Sequence, residues 1–169
     1  MYVAHLRAGR VNGQAVPGVV ARKASAVLVD AGEGFAFPAC ALAVQEAIAA
    51  ARATGMAIGA VTNSHHFGAA ADHLVPVAAA GMVGIAMGNS PAAMPAAGGK
   101  HAIFGTNPVA AIFPRKGADP LMIDLSLSMP DSQGRRIVGV YYGRPIASPS
   151  DLFVPGQTLS RLTPKTGFT

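Results

Sequence analysis

Residues 25–62 read SAVLVDAGEGFAFPACALAVQEAIAAARATGMAIGAVT, and this stretch decides the architecture. The run Ser25-Ala26-Val27-Leu28-Val29-Asp30 is short, apolar and rich in β-branched residues, and Gly32, Gly34 and Pro38 mark a loop behind it. That pattern predicts a strand over 25–30. Over 39–54, Leu42, Val44, Ala47, Ile48 and Ala51 recur at helical spacing until Gly55 closes the element. A second strand is predicted over 56–62. Strand, helix and strand in succession are the signature of an α/β arrangement.

Before this stretch, Tyr2, Val3 and Leu6 read as the end of a helix stopped by Gly9, its apolar face already in register at the first residues, as if the fold extended upstream. Downstream, a helix is expected over 69–80, ended by Gly81, and a short buried strand over 82–87. From Gly88 to Gly99 the chain turns to Pro, Ala and Gly, which predicts a long loop of the kind that carries function. Strands are expected over 109–113 and 121–123, joined by a turn at Lys116-Gly117-Ala118-Asp119. Beyond Asp131 the periodicity weakens, and Pro145, Pro149, Pro155 and Pro164 interrupt any helix or central strand.

Composition narrows the class. With 51% hydrophobic and 12% charged residues the 169-residue chain has the makings of a packed core and not of a disordered segment. The net charge is +5, yet Lys and Arg occur at most in pairs (Arg22-Lys23, Arg115-Lys116, Arg135-Arg136), so no nucleic-acid partner is expected. The positive field instead favours a small anionic substrate. Cys40 is the lone cysteine, which rules out an internal disulfide and suits a reducing, cytoplasmic setting. No run approaches the roughly 20 apolar residues a membrane span needs, and no membrane partner is expected.

The chemistry concentrates in a few places. No Gly-x-Gly-x-x-Gly follows a strand and there is no Gly-Lys-Ser/Thr loop, so a standard Rossmann or phosphate-loop domain is not expected. Asn63-Ser64-His65-His66-Phe67-Gly68 stands at a strand end, where α/β proteins open a crevice, and His66 has the side chain best suited to move protons near neutral pH. His65, His66 and His73 lie close together, but Asp72 is the one acidic residue at ligand spacing, so no metal site is assigned. Gly105-Thr106-Asn107-Pro108 forms a turn before a strand. Asp124, directly after Leu121-Met122-Ile123, is a half-buried carboxylate in need of donors, such as ribose hydroxyls.

Taken in order, Asn-x-x-His-Phe-Gly (63–68), Gly-Met-Val-Gly-Ile (81–85), Asn-Ser-Pro (89–91), Pro-x-x-Gly-Gly (95–99), Gly-Thr-Asn-Pro (105–108) and Asp-x-Ser-x-Ser (124–128) resemble the malate/L-lactate dehydrogenase family that lacks a Rossmann fold. Its members include ureidoglycolate and sulfolactate dehydrogenases, diketogulonate reductase, and piperideine- and pyrroline-2-carboxylate reductases. The resemblance is strongest over 39–128. It implies an α/β, non-Rossmann nicotinamide-binding lobe, a homodimer, NAD or NADP as cofactor, and hydride transfer at the carbon next to a carboxylate. By position it makes His66 the proton acceptor and Ser90, Asp124, Leu125 and Ser126 cofactor-binding residues. The family's upstream Ser-His-Gly motif with its Arg, and a downstream Gly-rich segment with Lys, have no counterpart here. The expected division is therefore a partial dehydrogenase domain over 1–143 and a poorly ordered or divergent tail over 144–169. The competing expectation is an inactive lobe that serves, if at all, as a binding or subunit-interaction module.

Overall fold

The computed structural model describes residues 2–92, 94–95 and 99–125, together with strand segments at 129–130, 136–137 and 141–142. The chain divides into two units, Met1–Met82 and Val83–Thr169.

In the first unit, α1 (Tyr2–Arg7) is followed by β1 (Gly18–Lys23), β2 (Ala26–Asp30), α2 (Ala36–Thr54), β3 (Ile58–Thr62), a 3-10 turn (Ala71–Leu74) and α3 (Val75–Ala79). The sheet runs β1-β2-β3, with β1 antiparallel to β2 and β2 parallel to β3, so α2 is the crossover the sequence predicts. Val27 and Val29 alternate inward from β2 and meet Ala31, Ala39 and Ala43 in the core. Full burial of one such valine contributes about 1.5–3 kcal/mol. Alanines four residues apart let α2 lie close on the sheet. The approach is so tight that a Cβ on Gly59 would stand 2.9 Å from the Ala43 carbonyl oxygen.

Several boundaries differ from expectation, each for a local reason. Helix α2 begins at Ala36, not 39, because Pro38 falls in the first turn, where its missing N–H has no helical partner to lose. Gly55 ends it at φ 85°, donating its N–H to Ala51 O at 2.8 Å. The helix expected over 69–80 is broken into the 3-10 turn and α3, since Pro76 has no N–H to offer the Asp72 carbonyl one turn back. Helix α1 stops as predicted: Gly9 adopts φ 65°, its N–H reaches Leu6 O and the Arg10 N–H reaches His5 O, both at 3.0 Å. Strand β1 was not anticipated, and its almost wholly exposed side chains explain why no alternating pattern announces it.

The second unit is antiparallel. It contains β4 (Gly84–Met87), β5 (Met94–Pro95), β6 (Ala102–Phe104), β7 (Val109–Arg115), β8 (Ala118–Leu125), β9 (Met129–Pro130), β10 (Arg136–Ile137) and β11 (Tyr141–Tyr142). Its main sheet runs β11-β8-β7-β4, and Ala110 and Ile112 are fully buried at alternate positions of β7. The β7–β8 hairpin turns at Lys116-Gly117, with Gly117 at φ 69°. Both strands are longer than predicted, so Asp124 lies within β8, opposite Ala110 and Tyr141, and not behind the strand. The loop expected over 88–99 contains β5, which pairs with β6. Residues 144–169, expected as a tail, lie outside the described residues. Among the described residues no helix is long and apolar enough to cross a membrane.

Candidate functional site

The parallel pair β2 and β3 places Asp30 and Thr62 side by side at its carboxyl end, where the chain leaves both strands. Asp30 organises that end. One carboxylate oxygen accepts the Gly32 N–H at 2.7 Å and the other accepts Asn63 Nδ2 at 2.9 Å. Asn63 sits at φ 50°, a conformation asparagine tolerates better than most residues, and its carbonyl accepts the Glu33 N–H at 2.8 Å. The His65 N–H then donates to Gly34 O at 2.8 Å, and the His66 carbonyl accepts the Ala36 N–H at 3.3 Å. That last bond serves the start of α2, whose flanking Phe35 offers no side-chain cap. The histidine loop and the helix start thus hold each other.

His66 is exposed, and its Nδ1 is engaged twice: the Gly68 N–H donates to it at 3.0 Å, and the Tyr2 hydroxyl lies 3.0 Å away. Gly68 adopts φ 74° under the Phe37 ring, so the glycine is what lets the loop turn back onto the imidazole. The opposite nitrogen, Nε2, has no hydrogen-bond partner among the described residues. The Gly68 donor by itself favours the neutral ring with its proton on Nε2, while the Tyr2 hydroxyl can pair with Nδ1 in either form. His65 points elsewhere: its ring lies against His5, centroids 5.0 Å apart, and against Phe35 at 6.1 Å. Neither His5 Nδ1 nor His65 Nδ1 has a partner among the described residues, and both atoms are shielded from solvent. Burial, and then the proximity of His65, hold the His5 imidazole below its ordinary range.

His73 is committed to the scaffold. Its Nε2–H donates to the Phe67 carbonyl at 2.6 Å and its ring packs on Phe37 and Phe67. Among the described residues no group of three or more His, Cys, Asp or Glu is placed to hold a metal ion. A cleft of about 330 Å³ between α2 and the 3-10 turn is walled by Ala41, Val44, Ile48 and Pro76, with Gln45, Asp72 and His73 at its polar side; His66 does not line it.

The other predicted residues belong to the second unit. The Ser90 hydroxyl accepts the N–H groups of Thr106 and Asn107 at 2.6 and 3.3 Å and lies 2.9 Å from the Thr106 hydroxyl, while the Ser90 N–H donates to Asn107 Oδ1 at 3.2 Å. Gly105 is required there, because a Cβ would stand 2.6 Å from Ser90 Oγ. Met87 pairs with Val109, Val109 with Leu125 and Ala110 with Asp124. The end of β4, the turn before β7 and the end of β8 therefore meet at one end of the sheet, and Ser90, Thr106, Asn107, Asp124 and Leu125 gather there. Ser126 lies outside the described residues.

Sequence reasoning did not find Tyr2, whose ring packs edge-on against Phe35 at 5.2 Å, Phe37 at 5.9 Å and His66 at 5.3 Å. Tyr2 and His66 are 64 positions apart. The apolar stripe of α1 shows only that Tyr2 faces something, not what it faces.

The malate/L-lactate dehydrogenase family profile matches residues 1–135. The (2R)-3-sulfolactate dehydrogenase (NADP(+)) of Chromohalobacter salexigens is 41% identical over 156 residues, 92% of this chain and 46% of that protein. The Δ1-pyrroline-2-carboxylate/Δ1-piperideine-2-carboxylate reductase of Pseudomonas syringae pv. tomato is 42% identical over 127 residues, 75% of this chain and 37% of that one. The solved Δ1-piperideine-2-carboxylate reductase from P. syringae superposes with a TM-score of 0.70 at 42% identity, over 75% of this chain and 38% of that chain. Malate dehydrogenase from Pyrococcus horikoshii gives 0.69 at 33% identity, over 75% and 36%. The chain thus spans less than half the length of these relatives. Profile, sequence and fold agree that the chain belongs to the malate/L-lactate dehydrogenase family.

Proposed function

We propose that this chain carries part of an oxidoreductase site that moves a hydride between NAD or NADP and a small 2-oxo or 2-hydroxy acid, or a cyclic imine carboxylate, with His66 relaying the proton. The observation that carries the reading is the state of His66. It stands at the carboxyl end of a parallel strand pair, held through Nδ1 with Nε2 left for a substrate. The named activities of the sulfolactate and pyrroline-carboxylate relatives supply the substrate class.

A bound nicotinamide supplies or accepts the hydride. In the oxidative direction the substrate hydroxyl proton passes to His66 Nε2 while the hydrogen on the same carbon leaves with its electron pair, giving a 2-oxo acid, a reduced dinucleotide and one proton. Reduction reverses each step. The second unit suits the dinucleotide in part: the Asp124 carboxylate has the chemistry to accept ribose hydroxyls, and Ser90 acts by fixing the 105–107 turn next to it. Leu125 and Ser126 complete the proposed cofactor segment. One partial dehydrogenase domain over 1–143, a homodimer, a small anionic substrate and a cytoplasmic setting belong to the same proposal.

A second reading, a lobe that binds or joins a subunit interface without turnover, is favoured by the span of less than half the relatives' length. Turnover separates the two. Purified chain is incubated with NADH or NADPH and either a pyruvate-type acid or piperideine-2-carboxylate, and dinucleotide oxidation is followed. His66→Ala should lower any rate about 10²- to 10⁴-fold with little change in dinucleotide affinity. Oxidation that persists undiminished in His66→Ala contradicts the role given to His66; no oxidation by the unsubstituted chain selects the second reading.

A further inference from the structure

We propose that Tyr2 is a positioning residue for the proton relay: its hydroxyl is the group that lets His66 carry a proton on Nδ1 and so present a bare Nε2 to the substrate. This rests on the reading of His66 as the acid-base group.

Two partners compete for one nitrogen. Gly68 N and Tyr2 Oη each lie 3.0 Å from His66 Nδ1. The Gly68 N–H can only donate, so by itself it demands a lone pair on Nδ1 and sends the proton to Nε2. Histidine in that form can offer Nε2–H to a substrate but cannot take the hydroxyl proton of a 2-hydroxy acid. To take it, Nε2 must be bare and the ring proton must sit on Nδ1, and after transfer both nitrogens carry protons. In each of those states Nδ1–H faces the Gly68 N–H and needs an acceptor. A hydroxyl is the side-chain group that can donate to a bare Nδ1 and, after rotating about its C–O bond, accept from a protonated one.

The fold holds that oxygen still while the hydrogen turns. The Tyr2 ring is wedged edge-on between Phe35 and Phe37, at 5.2 and 5.9 Å, and its helix is closed by the Gly9 turn. The same ring lies 5.3 Å from the imidazole. No other described side chain reaches Nδ1.

The test reads the imidazole directly. In the full chain labelled with ¹⁵N, long-range proton-nitrogen correlation spectra report which ring nitrogen bears the proton. Tyr2→Phe keeps the ring and removes only the oxygen, and it should move the tautomer ratio roughly tenfold toward Nε2–H, the scale of one net hydrogen bond. Unchanged Nδ1 and Nε2 resonances in a folded Tyr2→Phe chain overturn the proposal. Should that variant lose its dispersed amide spectrum, the unsubstituted chain decides: N–H character at Nδ1 supports the proposal, and a fully bare Nδ1 overturns it. No turnover is needed, so a negative result removes Tyr2 and leaves His66 the reductive role, in which its Nε2–H donates the proton. Failure of that reading appears separately, in the His66→Ala rates.

Discussion

Replacing Gly68 by alanine strikes the loop that holds His66, and its cost can be worked from the structure. Gly68 has φ 74°, and a Cβ there would sit 2.8 Å from Phe37 Cε1 and 3.2 Å from Cζ. The left-handed conformation costs an L-residue about 1–2 kcal/mol. Reduced freedom of the unfolded chain returns about 0.4–1 kcal/mol. The clash adds about 1 kcal/mol, at the low end of overpacking effects, because Phe37 is 39% exposed and its ring can swing outward. The net expectation is a loss of about 1–3 kcal/mol, read from urea unfolding as a lower midpoint at unchanged slope. Adding Phe37→Leu to Gly68→Ala should recover the clash and leave the backbone strain. An alanine variant as stable as the parent would refute the reasoning, as would complete recovery in the double variant, which would leave the strained backbone no cost.

Three further outcomes follow from the same geometry. Val29, fully buried in the first core, should cost about 2–3 kcal/mol when replaced by alanine, against near zero for the 57% exposed Val20, in the same urea assay. Glu46 is held below its ordinary value of 4.5 by hydrogen bonds from Arg22, so the stabilisation from this pair is present above that pH and fades as the pH falls through the lowered value. Stability-versus-pH curves should show that Glu46→Gln flattens this acid limb, with a smaller difference at high salt; superimposable curves would show that the pair adds nothing to acid stability. His5, held below 6.5 mainly by burial, binds its proton more readily in the unfolded chain, so its share of stability is present above pH 6.5 and lost as the pH falls. His5→Phe should lessen that loss near pH 6, and an unaltered slope there would argue against the shift.

What the sequence discloses tracks how local each signal is. The β2-α2-β3 crossover is legible because Val27, Val29, Leu42 and Ile48 repeat at the periods of their elements, and the Gly9 and Gly55 stops are legible because both need positive φ. Strand β1 is silent because a strand with one half-buried residue carries no alternation. At the candidate site, His66 and Asp124 stand out as polar residues where apolar runs end. Ser90 has no such mark; family resemblance singles it out, and the structure then shows its hydroxyl held by the turn at 105–107. Tyr2 stays hidden because its meaning depends on a contact made across the tertiary fold.

Calorimetric titration of the folded full chain with NADH and with NADPH, repeated on Asp124→Ala, tests the nicotinamide site. Saturable binding of at least one dinucleotide is expected, weakened in the variant. Absence of binding by both, in a chain whose amide spectrum shows it folded, would contradict a nicotinamide site on this protein.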